Sequence, residues 1–261
     1  MNSLRIFIVG GFTSYRALFS WLSPWVMVPV FTFGPLFQIL LFVYIGRTAG
    51  IGNDSFFLIG NAVVDAATPC LFAMGITITG ERNSGTLPLL IASPARRLPL
   101  FLGRALPVVL NGFLVAVFAL VAGALILQVH IPFEAWSGVA VAIAVCAASC
   151  TGLGLLAAAV ALRHREAAVS SNIIFLVLLI FAGVNVPIDA MPGWMQGVSG
   201  VLPLTHGIQA THKLAAGADL SSIDNLLGME LAVGGCYAVF GMLLLFWLER
   251  ESRRKATLDT V

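Results

Sequence analysis

Charge is scarce in this 261-residue chain: 10% of residues are charged against 59% hydrophobic. With a mean hydropathy of +0.98, it is too apolar for a water-soluble domain of this length. Lysine is rarer still. Lys213 and Lys255 are the only two, followed by Leu214 and Ala256, so the phosphate-cradling pattern G-x-x-x-x-G-K-[ST] is missing and with it an ATP-hydrolysing site of that type. The four cysteines, Cys70, Cys146, Cys150 and Cys236, lie inside apolar runs, where a thiol behaves as a small hydrophobe, and they outline neither a disulfide framework nor a zinc site. Histidine is limited to His130, His164, His206 and His212, all in connections between those runs. His206 and His212 lack the i, i+4 spacing of a metal pair, so no metal site is expected. The net charge of +2 carries no sign of a nucleic-acid partner, and none is expected.

What charge there is has a pattern. Twelve of the fourteen Lys and Arg residues fall in four stretches: Arg5/Arg16, Arg82/Arg96/Arg97/Arg104, Arg163/Arg165 and Arg250/Arg253/Arg254/Lys255. Only Arg47 and Lys213 sit between them. Long apolar runs separate the stretches, and the positive-inside rule assigns all four to the cytoplasmic face. A spanning helix needs about 20 apolar residues, and six segments qualify: Trp25 to Ile45, Phe56 to Thr79, Leu106 to Val129, Trp136 to Leu162, Val169 to Val186 and Leu226 to Leu248. The expectation is an all-α membrane protein of six transmembrane helices, with both termini cytoplasmic. Trp21, Trp25, Trp136, Trp194 and Trp247 fall near the expected ends, as interfacial anchors do.

Residues 1–22 lack an A-x-A cleavage site and carry Arg16 after the apolar stretch, which argues against a secretory signal. At about 100° per residue, Leu4, Ile8, Phe12, Tyr15, Leu18, Phe19 and Leu22 share one arc and Arg5, Thr13, Arg16 and Ser20 the other, so an interfacial amphipathic helix is expected, interrupted on its polar face by Val9. One transmembrane domain over 1–261 follows: this helix, a six-span bundle over 25–248 and a cytoplasmic tail over 249–261. In the fourth span Gly138, Ala142, Cys146, Cys150, Gly154 and Ala158 recur every four residues, a stripe that lets another helix pack closely, inside the bundle or across a dimer. Between the fifth and sixth spans, Pro187 to Asn225 is too long for a hairpin and too apolar for a solvated loop. Two short re-entrant outer helices are expected there, the first bounded by Pro192 and Pro203, with Trp194, Met195, Val198, Val201 and Leu202 on a helical face. Non-helical backbone at that depth must be covered by protein or line a cavity, so the region is expected to cap a translocation path.

Transport needs an energy source. An ion gradient would use ionisable groups inside the spans, and only Asp65 lies deep within one. Asn61 and Thr68, at i−4 and i+3, share its helical face, which makes these three the candidates for lining a path; a structural carboxyl bonded to neighbouring helices is the competing reading. Glu230, near the start of the sixth span, is expected at the interface. An intramembrane protease is a further option, because Gly197, Val198, Ser199 and Gly200 spell GVSG as in rhomboid proteases. That chemistry needs a histidine base in a later span, and the chain has none there. No catalytic residue is expected.

The inside connection from Gly80 to Arg104 reads GERNSGTLPLLIASPARRLPLFLGR. Gly85 permits a tight turn, Thr86 caps a helix, and Leu87, Leu90 and Ile91 form one apolar face. Pro94 ends that helix, because Ser93 before a proline is pushed out of the α region. Arg97 and Arg104 share a face of the helix leading into the third span. A short amphipathic helix at the cytoplasmic surface suits docking into a groove on another protein.

Here the chain resembles the ABC-2 family of ATP-binding-cassette transporter permeases, which includes daunorubicin-resistance and polysaccharide or nodulation-factor export permeases. The resemblance rests on Glu81, Arg82, Gly85, Thr86, Leu87, Leu89, Leu90, Ser93 and Pro94. It continues in a proline-bounded stretch: Val186 and Pro187, then Met191, Pro192, Gly193 and Trp194, then Leu202, Pro203, Leu204 and Thr205. One departure is Pro88, where the family often has an acid; proline is compatible with a first helical turn. The resemblance implies that Thr86 to Ser93 is a coupling helix contacting a separate ABC-type ATPase subunit, braced by the N-terminal interfacial helix. It also implies that a second permease, an identical copy or a sibling, completes the assembly, and that ATP and Mg are bound by the partner ATPase with no cofactor held by this chain. Export is the direction it suggests. An ion-coupled secondary transporter using Asp65 and a membrane scaffold without transport are the competing classes.

Overall fold

The computed structural model describes residues 24–50, 53–73, 97–163 and 167–255, and every regular element among them is helical. In chain order these are α1 (Pro24–Ala49), α2 (Asp54–Val64), α3 (Arg97–Leu127), α4 (Ala135–Arg163), α5 (Ala167–Phe181), α6 (Gly193–Val201), α7 (Thr205–Ala215) and α8 (Asp224–Lys255), with single 3-10 turns at Ile188–Ala190 and Leu220–Ser222. After α2 the chain tightens into a turn at 65–66 and resumes as helix over 67–73.

Five helical stretches among the described residues are long and apolar enough to cross a membrane: Pro29–Ala49, Asp54–Ala73, Ala105–Leu127, Ala135–Val160 and Asp224–Leu248. They coincide with five of the six expected spans. The remaining segment, Val169 to Val186, is helical only as far as Phe181. Its 15 residues rise about 22 Å, short of the roughly 30 Å apolar thickness of a bilayer. The reason is local: Gly183 adopts a left-handed φ of 79° and Pro187 follows four residues later, which together stop the helix. At the other end of the bundle, α8 continues through Lys255, so the expected tail over 249–261 begins as the last turns of the final helix.

Helix α4 sits centrally, packed against α3, α5, α7 and most extensively α8. Small residues permit this. A Cβ added at Gly234 of α8 would lie 2.5 Å from the Ser149 Cα, and one at Gly152 would run into the Gly234 carbonyl, so the two backbones are in direct contact, as small-residue seams allow. Two members of the expected stripe on α4 meet α7: Gly138 faces Leu214 and Cys146 abuts Gly207. Both uses lie inside the bundle. A continuous apolar core joins α1, α2, α3, α4, α5, α7 and α8.

The outward faces are as apolar as the core. Phe33, Phe37, Leu41 and Ile45 on α1, and Leu106, Leu110, Leu114 and Phe118 on α3, form exposed rows at four-residue spacing, the pattern of helices solvated by lipid. The α1–α2 connection is fastened by Arg47, whose Nε donates to both Asp54 oxygens at 3.0 and 3.1 Å. The Arg47 guanidinium also lies 5.3 Å from the centre of the Tyr44 ring.

Candidate functional site

One group of polar side chains lies where α1, α2 and the irregular segment after α5 meet. Asn61 of α2 is fully buried. Its Nδ2 donates to the Phe57 carbonyl at 2.9 Å and to Asn185 Oδ1 at 2.9 Å, while its Oδ1 accepts from Gln38 Nε2 of α1 at 3.2 Å. One turn brings the backbones together as well: Gly60 presents no side chain, and the Val184 carbonyl occupies the place a Cβ would take. Residues 182–184 are buried, with Val184 seated on Gly60 of α2. Beside Asn185 and the lower part of α6 lies a cavity of about 330 Å³, walled by Phe42, Leu179, Ile180, Met191 and Met195.

Asp65 and Thr68, the other path candidates, do not join this network. Asp65 is 2% exposed at the turn that interrupts α2, and its Oδ2 has no hydrogen-bond partner among the described residues. Thr68 is half-buried and gives its backbone N–H to the Asp65 carbonyl at 3.3 Å. The predicted polar stripe is therefore inside the bundle, yet no side-chain hydrogen bond joins its three members.

A second polar centre fastens the outer helices. Glu230 was expected at the interface; it is fully buried instead, because α8 begins at Asp224 and carries it almost two turns into the bundle. Its Oε1 accepts the Leu204 N–H at 2.7 Å and its Oε2 accepts the Gly207 N–H at 3.1 Å. These are orphan donors at the start of α7, which a helix cannot satisfy itself. Leu204 before them has a left-handed φ of 75°, so the chain turns sharply into α7 at the point where the carboxyl group grips it. Gly207 also has to be glycine-sized, since Cys146 of α4 fills the space beside it. Further along α7, the His212 ring stacks on Phe56 with centroids 4.9 Å apart and planes 9° apart, and burial pushes its imidazole from 6.5 down to about 4.

Ser199, in the protease-like GVSG, is buried in α6. Its hydroxyl donates to the Phe181 carbonyl at 2.5 Å, with the Met195 carbonyl 2.9 Å away, while His206 Nε2 pairs with the Gly200 carbonyl at 3.2 Å. Serine and histidine are both engaged by backbone and form no nucleophile–base pair. Among the described residues no cluster of His, Cys, Asp or Glu could hold a metal ion. The partner-contact candidates Glu81, Arg82, Gly85, Thr86, Leu87, Leu90, Ile91, Ser93 and Pro94, and the expected interfacial helix over 1–22, lie outside the described residues.

Sequence reasoning missed Gln38, Asn185, Glu230 and Gly207. Three had a faint signal: Gln38 is the only amide of the first span, Glu230 the only acid well inside the last, and Asn185 closes an apolar run just before Pro187.

Comparison with known proteins adds an independent line. Residues 13–214 match the family model described as "ABC-2 type transporter". Two curated relatives, both named "Probable multidrug ABC transporter permease YbhR", from Escherichia coli (strain K12) and Escherichia coli O157:H7, are each 24% identical over 177 residues. The match takes in 65% of this chain and 48% of each relative, so the chain spans about half the length of the curated relatives it matches.

Proposed function

The chain belongs to the ABC-2 type transporter family, and from that premise we propose that it is the transmembrane permease subunit of an ATP-binding-cassette exporter, powered by a separate ATPase. The observation that carries this reading is the family match over most of an apolar, multi-helix chain that has no phosphate-binding lysine motif of its own. It acts as one transmembrane domain over 1–261. Six crossings put both termini on the cytoplasmic side of a bacterial inner membrane, five made by the long helices and one by α5 extended through 182–186. The burial of 182–184, with Val184 seated on Gly60 of α2, supports that extension.

In this reading α6 and α7 form the outer cap, held to the last crossing by Glu230. The segment from Thr86 to Ser93 is the coupling helix, with Glu81, Arg82, Gly85, Leu87, Leu90, Ile91 and Pro94 at the ATPase contact. A second permease copy or sibling completes the path, ATP and Mg stay with the ATPase, and this chain binds no cofactor. Closure of the ATPase dimer pushes the coupling helices, and the bundles tilt to open the outer face. Asn61 and its amide partners belong to the path, whereas Asp65 and Thr68 flank it.

The test is co-purification with the ABC ATPase. Leu87→Asp combined with Leu90→Asp leaves the protein in the membrane and removes the ATPase from the complex; retained binding overturns the docking role. Phosphatase and fluorescent-protein fusions at residues 92 and 210 report inside and outside respectively, and the reverse pattern overturns the orientation. Gradient-driven uptake by the purified chain alone would establish the secondary-transporter alternative.

A further inference from the structure

The amide chain that ends at Asn185 has a direction, and that direction gives the neighbouring cavity a ligand chemistry. A backbone carbonyl can only accept, so the bond to the Phe57 oxygen fixes the Asn61 amide with its nitrogen on that side. The second Asn61 N–H then donates to Asn185 Oδ1, and Asn61 Oδ1 takes the Gln38 N–H. Asn185 is left with its oxygen occupied and its NH₂ end uncommitted among the described residues. Among the described residues Asn185 is also the only one with a polar side chain lining a cavity otherwise walled by residues such as Phe42, Leu179, Ile180, Met191 and Met195.

We propose that this cavity binds an apolar compound carrying one acceptor oxygen, such as a ketone or ester, with that oxygen taking a hydrogen bond from Asn185 Nδ2. Its volume of about 330 Å³ is at the lower end of small-molecule pockets, roughly 300 to 1,000 Å³, so the ligand is of one or two rings or a short chain. A convergent donor in an apolar pocket is the usual way such sites fix orientation. Ile180 and Val186, which line the cavity, are exposed on the outer surface of the bundle. The occupant is a transported compound. That last identification rests on the exporter reading; the cavity and its donor do not.

Benzophenone, apolar with a single carbonyl, serves as the probe because its photoexcited ketone inserts into methionine C–H bonds. The full-length chain in detergent micelles, without the ATPase, is irradiated with benzophenone and the adducts are located by peptide mass spectrometry. Adducts on Met191 and Met195 are expected. One lost hydrogen bond corresponds to a shift of roughly two- to tenfold, so Asn185→Leu raises the half-saturating concentration by about that factor. Ala190→Phe, which fills the cavity and leaves Asn185 in place, abolishes labelling. Phenyl benzoate competes more strongly than diphenylmethane, which lacks the acceptor. Labelling unchanged in both variants, equal competition by the two compounds, or displacement by phosphatidylcholine alone overturns the proposal. None of these outcomes bears on whether the ATPase co-purifies, so the two readings fail separately.

Discussion

Removing the Glu230 carboxyl group should release the start of α7 while leaving the spans folded. The two donors it satisfies, the N–H groups of Leu204 and Gly207, belong to buried residues and have no water to turn to. An abandoned buried donor costs about 1–3 kcal/mol, so Glu230→Leu, which strands both, weakens the attachment by roughly 2–6 kcal/mol. Glu230→Gln keeps one acceptor oxygen and should lose about half of that. Hydrogen–deuterium exchange reads the effect locally. Each 1.4 kcal/mol is a factor of ten, so exchange at the 204–208 amides should accelerate by about 30-fold or more in the leucine variant. The glutamine variant should fall between it and wild type, while the amides of α4 stay slow. If a folded Glu230→Leu protein exchanges those amides within threefold of wild type, the carboxyl group is not what holds α7.

Other perturbations follow from the same packing. Gly207→Ala drives a methyl group into Cys146 and should lower the unfolding midpoint in detergent; adding Cys146→Gly, which opens that space, should recover part of the loss, and strictly additive losses would refute the contact. His212 is neutral when folded, with its imidazole held near 4 against an unfolded value of 6.5. Its contribution is complete above about 6.5 and is lost as pH falls toward 4, up to roughly 3 kcal/mol. His212→Phe keeps the stack on Phe56 and removes that proton uptake, so thermal midpoints at pH 7 and pH 5 should differ less in the variant than in wild type. An equal acid shift in both would mean that His212 is not the group responsible.

Much of this architecture was legible because lipid imposes a simple rule: a crossing must be long, apolar and helical. Five spans satisfy that rule in residue count alone. Where the helix of the fifth expected span ends was hidden: apolar residues continue past Phe181, and composition cannot register that Gly183 turns left-handed and that Gly60 offers a backbone-to-backbone seat. Position along the chain misled for Glu230. An acid near a span end reads as interfacial until a neighbouring helix start arrives to take its oxygens. Asn61 was visible as a polar residue on a buried face, but its partners are 23 and 124 residues away, a distance that no local periodicity reports.

The seam between Gly152 and Gly234 has a mechanical consequence. Two helices that touch backbone to backbone have no side-chain layer to yield between them, so α4 and α8 behave as a single spar. Whatever rocking accompanies a work cycle must be taken up elsewhere, along the side-chain-padded borders of α1 and α5, and the spar itself serves as the fixed post around which those borders slide.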